Sequence, residues 1–96
     1  MGTQSRFQLP NEIAHIKSSI KHVKQRFKER FNLIVNDDFI FQLSDMILEK
    51  RIPIKKRRSS NQVWVELVLP NSKRAVVLFN EALCVPQTVY TGSMFR

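Results

Sequence analysis

Pro53 divides this sequence into two parts with different hydrophobic periods. That change constrains the fold more than any other feature. Before Pro53, apolar residues recur at steps of three and four. After it, they alternate or run on without interruption. Ile13, Ile16, Ile20, Val23, Phe27 and Phe31 mark one face of an amphipathic helix over about Glu12 to Phe31. Asn11 stands at its expected N-cap, and Glu12 lies in the first turn, where a carboxylate favours the helix dipole. Pro10 is expected to stop regular structure before it, and Asn32 to end the helix. Asn36, Asp37 and Asp38 give a second N-cap signal. The helix they start runs to about Lys50 and turns Phe39, Ile40, Leu43, Met46 and Ile47 inward. Lys50 and Arg51 sit in its last turn, where cations suit the dipole. Pro53, without an N–H, forbids continuation.

Beyond Pro53 the pattern is that of strands. Ile52 to Arg58 reads as a polar edge strand. Val63, Val65, Leu67 and Leu69 alternate with Trp64, Glu66 and Val68. Pro70 to Lys73 is a turn, Ala75 to Phe79 a buried central strand, and Asn80 to Ala82 the next turn. The last strand spans Leu83 to about Thr91, with Pro86 marking a bulge or an edge. Connections this short join neighbouring antiparallel strands. The predicted fold is α+β: two N-terminal helices packed on one face of a three- to four-stranded antiparallel β-meander, the other face open to a ligand. Residues 1–10 read as an N-terminal arm and 11–96 as one compact domain, as befits 96 residues.

Charge narrows the function. Sixteen Lys and Arg against eight Asp and Glu leave a net charge of +8, which points to a polyanionic partner, nucleic acid ahead of a membrane surface. Residues 14–30 carry six cations against one acid, and residues 50–58 carry six against none. On the first helix the cations are sorted. Lys17, Lys21, Lys24 and Lys28 line one flank of the apolar stripe, whereas His15, Ser19, His22, Arg26 and Arg30 line mostly the other. Lysines act as solvated point charges, arginines make forked contacts to phosphate, and histidine moves protons near neutral pH. The second stripe is suitable material for holding and cleaving a phosphodiester, although a basic amphipathic helix is ordinarily just a solvated face. Lys55, Lys56, Arg57 and Arg58 protect an edge strand by charge or contact phosphate as a second wall of the same groove.

Other chemistries find little material. Cys84 is the only cysteine. It rules out a disulfide scaffold, fits a reducing cytoplasmic setting and reads as a small buried hydrophobe. No metal site and no cofactor is expected: His15 and His22 are two turns apart, and the acids fit caps and helix surface. With Gly2 and Gly92 as the only glycines, there is no phosphate-cradling loop. No apolar run approaches the roughly 18 residues of a membrane span, and Met1 to Gln8 is too polar for a secretory signal. Trp64 and Tyr90 can stack on bases, though packing accounts for Trp64 as well. Alternation puts Thr88 and Tyr90 on one face and Thr91 on the other.

The segment His22-Val-Lys-Gln-Arg26-Phe-Lys-Glu-Arg30-Phe31 resembles a helix of small phage- and toxin-associated proteins. With the second capped helix, the apolar strand Ala75 to Phe79 and the threonine Thr88, the chain is similar to the compact ribonuclease-toxin class that includes RelE, barnase and the colicin tRNA nucleases. The resemblance covers roughly Lys21 to Tyr90 and implies metal-independent RNA cleavage by attack of the ribose 2′-hydroxyl. It implies His22 as general acid or base, Arg26 and Arg30 as stabilisers of the phosphorane, and Thr88 as a hydrogen-bonding partner to it. It also implies RNA ahead of DNA, and an antitoxin or immunity protein as partner. A second reading stays open: a non-enzymatic DNA- or RNA-binding accessory protein of a phage or mobile element. The basic groups Lys17, Lys21, Lys24, Lys28 and Lys55 to Arg58 serve both.

Overall fold

The computed structural model describes residues 10–94. Two helices, α1 (Pro10–Phe31) and α2 (Asp37–Leu48), precede four strands, β1 (Ile54–Arg57), β2 (Gln62–Val68), β3 (Arg74–Asn80) and β4 (Val85–Thr91). The strands form one antiparallel meander in the order β1-β2-β3-β4. The expected α+β arrangement is therefore present, with four strands.

Local chemistry explains the boundaries. α1 starts at Pro10, earlier than expected. Proline is tolerated in a first turn because its missing N–H has no helical acceptor there, and its fixed φ suits the helix. The arm expected over 1–10 otherwise lies outside the described residues, as does the expected capping by the Asn11 side chain. Asn32 ends α1 in the left-handed region, at φ 52°, which asparagine tolerates better than most residues. The Asn36 side chain caps α2 by accepting the Phe39 N–H at 2.9 Å. α2 stops at Leu48, short of Lys50. Lys50 adopts φ 61°, its N–H donates to the Ile47 carbonyl, and the Arg51 N–H donates to that of Met46. Paired bonds of this kind close a helix C-terminus.

One core joins both helices to one face of the sheet. Val23, Phe27 and Phe31 from α1 and Ile40, Leu43 and Ile47 from α2 pack with Val63, Val65, Ala75, Val77, Phe79 and Val89. Phe27 is fully buried and meets Phe31 at 6.1 Å and, edge to face, Phe39 at 5.6 Å between ring centroids. The helices pack against β4, α1 most extensively. The helix phase is rotated from the expected one. Ser19, assigned to the exposed flank, is buried, whereas Ile13 is exposed and Ile16 and Ile20 are only half-buried. The reason is that α1 lies against the sheet's edge strand. Its buried arc is centred on Val23 and Phe27 and shifted toward the histidine and arginine side.

Cys84 corrects another expectation. It is exposed, in the turn before β4, with φ 57°. The expected last strand from Leu83 begins instead at Val85, because residues 81–84 make the turn and the Asn80 side chain accepts the Leu83 N–H at 2.9 Å. Pro86 coincides with a register irregularity on the edge strand, as proline should.

Candidate nucleic-acid interface

α1 carries two chemically distinct flanks, and the fold sends them to different places. On the lysine flank, Lys17, Lys21 and Lys24 line a shallow groove with Ile20 and Asp37. Lys24 pairs there with Asp37 at 2.7 Å, at the start of α2. The Asp37 carboxylate is thus stabilised twice, by the ammonium and by the helix N-terminus. Lys28 is exposed on the same flank.

The other flank meets β4. Arg30 is half-buried and donates from Nη1 to the Val89 carbonyl at 2.6 Å. Its guanidinium also lies 5.1 Å from the centre of the Tyr90 ring, a cation–π contact. Arg30 therefore bridges the helix to the strand that carries Thr88. Among the described residues, it alone of His22, Arg26, Arg30 and Thr88 makes such a bridge. Arg26 pairs along the helix with Glu29 instead. Gln25 and Arg26 hydrogen-bond the Glu29 carboxylate and hold its pKa below the ordinary value. His22 is half-buried one turn before Arg26, and Thr88 is half-buried opposite Leu78. The expected four-residue site is thus one stripe of α1 with one anchored end, beside the strand position of Thr88.

The second basic segment lies at the opposite edge of the sheet. Lys55, Lys56 and Arg57 are in β1, whose residues are all exposed, and Arg58 follows it. Strands are about 4.8 Å apart, so β1 and β4 are separated by about 14 Å. The two basic segments bracket the sheet and do not face each other as walls of one groove. Arg57 is tied down, with Nη1 3.0 Å from Glu81 and near the carbonyls of Ser59 and Ser60. Other acids are also matched: Glu49 with Arg51 at 3.3 Å and Glu66 with Arg74 at 3.8 Å. Lys17, Lys21, Lys28, Lys56 and Arg58 have no carboxylate at ion-pair distance among the described residues. They are the cations most available to an external polyanion.

Between the two edges lies the face that, among the described residues, carries no helix. The register places Trp64 opposite Leu78, Leu78 opposite Thr88, and Val76 opposite Tyr90. Lys56 is opposite Trp64. Trp64 and Tyr90 approach to 5.3 Å between centroids, tilted by 35°. This aromatic pair is only partly legible in the sequence. Alternation assigns Trp64 and Tyr90 a face each, but nothing local shows that it is the same face. The available signal is Trp64 itself, which is out of step with Val63 and Val65. Among the described residues, no three His, Cys, Asp or Glu side chains gather as a metal site, and no helix is long and apolar enough to cross a membrane.

Comparison with known proteins adds no further guide: no family model, no curated protein and no solved structure matches this chain.

Proposed function

We propose that this protein binds nucleic acid. The observation that carries this reading is the placement of the unpaired cations. They lie on the lysine flank of α1 and at the β1 edge, in a chain of net charge +8 whose open sheet face carries two aromatic rings. A polyanion crossing that face meets Lys56 at the β1 edge and Arg30 at the β4 edge. Affinity is then largely electrostatic and falls steeply with salt, because each neutralised phosphate releases condensed counterions. A titration of single-stranded and duplex RNA and DNA across about 50 to 200 mM salt tests it. Binding that ignores salt defeats the reading.

A second reading, RNA cleavage at the junction of α1 and β4, is favoured by Arg30. Its guanidinium is fixed beside the strand that carries Thr88, so a cation and a hydroxyl share one edge of the protein. In this reading the ribose 2′-oxygen attacks the adjacent phosphorus and the 5′-oxygen leaves, giving a 2′,3′-cyclic phosphate. His22 takes the 2′-hydroxyl proton while water protonates the leaving oxygen, or protonates that oxygen while water takes the 2′-hydroxyl proton. Arg26, released from Glu29, and Arg30 stabilise the added negative charge. His22→Ala is expected to slow cleavage by about 10²–10⁴-fold and to spare binding, which rests on the other cations. RNA bound yet left intact for hours, with EDTA and with Mg²⁺ alike, leaves the binding function standing alone. The ribonuclease-toxin resemblance and the antitoxin partner it implies belong to this second reading.

A further inference from the structure

We propose that the helix-free face of the sheet is a stacking platform for single-stranded nucleic acid, with bases on Trp64 and Tyr90 and phosphates at Lys56 and Arg30. This deepens the nucleic-acid-binding reading above and rests on it.

The starting point is a burial pattern. Val76 and Leu78 point to the face away from the helices, and they lie outside the main core, yet they are 1% and 4% exposed. Something on that face must cover them. Trp64 and Tyr90 come from the strands on either side of β3, and their rings approach to 5.3 Å. The only way two side chains so placed can meet is above β3. The rings therefore roof Val76 and Leu78. Both are half-buried, so part of their aromatic surface is open to solvent.

Charge identifies the occupant. Lys56 is next to Trp64 across the β1–β2 ladder, at one end of the pair. The Arg30 guanidinium lies against the Tyr90 ring at the other. Glu66, a carboxylate on the same face, is paired with Arg74. An aromatic surface with a cation at each end suits a ligand that alternates flat rings with negative charges. A single strand of nucleic acid is such a ligand. A duplex is not, because its base faces are already stacked on one another. Stacking of this kind tolerates any base, since every base has a π-face.

Trp64 is the only tryptophan, so its fluorescence reports on this face alone. The probe is a short 2′-O-methyl oligouridylate, which a 2′-hydroxyl-dependent nuclease cannot cleave. Its partner probe is an abasic oligomer of equal length and charge, which has phosphates but no bases. The oligouridylate is expected to quench Trp64 and to bind roughly ten- to hundredfold more tightly than the abasic strand. Tyr90→Leu, which keeps apolar cover over Val76, is expected to weaken the oligouridylate by a similar factor and the abasic strand little. Equal affinity for the two probes, or unchanged fluorescence at saturation, overturns the platform. If duplex RNA still binds at low salt in that case, the nucleic-acid-binding reading survives without it. If neither single strand nor duplex binds, both fall together.

Discussion

The two edges of the sheet solve one problem by different means. An edge strand presents unpaired backbone groups that invite pairing with another chain. β1 is short, fully exposed and irregular in register between Ile54 and Lys56, and it carries Lys55, Lys56 and Arg57. It is guarded by charge. β4 is seven residues long and only partly exposed. It is guarded by cover: α1 packs along it, Pro86 interrupts its donors, and Arg30 gives the Val89 carbonyl a partner. The two edges therefore draw on different sources of energy. Lys56 in β1 and Arg58 just after it hold little of the fold and can be turned to a ligand. Arg30 at β4 serves the fold first and offers a ligand what remains.

The largest effect expected from this contrast is at Phe27, which anchors α1 over the sheet. Phe27→Ala should cost about 3–5 kcal/mol, a large share of the roughly 5–15 kcal/mol that a domain commands. Urea unfolding measures it. A cost below about 1 kcal/mol is incompatible with α1 as the cover of β4. Arg30→Ala comes next. It removes a charge-assisted hydrogen bond and a cation–π contact from a half-buried position, and about 1–2 kcal/mol is expected. Arg30→Lys should recover little of that, because an ammonium cannot lie flat on Tyr90 while donating to Val89.

Arg30 also marks the limit of what the sequence discloses. Periodicity makes both helices legible, and the alternation of Val63 with Val65 and the run from Ala75 to Phe79 make the central strands so. Asn36 is legible as a cap and Asn32 as a stop because both act within a few residues of themselves. What is not legible depends on partners far along the chain. The bond from Arg30 to Val89 spans 59 residues. Ser19 is buried because α1 lies over an edge strand, which no helical wheel shows. Cys84 is exposed because it falls in the turn before β4, at φ 57°, and not in the strand itself. The opposite placement of the two basic segments follows from strand order, which local patterns leave open. The candidate site is thus legible as a set of residue types, and its division between two edges is not.

β1 provides the counter-test. Lys56→Gln and Arg58→Gln together should leave stability within about 0.5 kcal/mol of the wild type. The same pair should reduce the slope of log affinity against log salt by about 2, one for each phosphate that is no longer neutralised. Unfolding and salt titrations on the one variant give both numbers. If its stability falls as far as that of Arg30→Ala, the two edges are not guarded differently. If its salt slope is unchanged, the phosphates do not pass β1.

The smallest expected effect is at Glu29, and it sharpens the division within α1. Its carboxylate accepts from Gln25 at 2.9 Å and pairs with Arg26, and these contacts hold its pKa below the ordinary carboxylate value. Glu29 therefore competes with phosphate for Arg26. Glu29→Gln removes the negative charge and releases the guanidinium, so affinity for RNA at neutral pH should rise by about two- to fivefold, the scale of an exposed ion pair. Stability should change little, since Glu29 is exposed. The pH dependence follows in sign. A lowered pKa means that the pair contributes fully above the ordinary carboxylate range and is lost as pH falls through the lower, folded value. The wild type should then approach the Gln variant in affinity only below that ordinary range. A gap between the two proteins that persists once pH has fallen well below that range would show that Arg26 is not what Glu29 withholds.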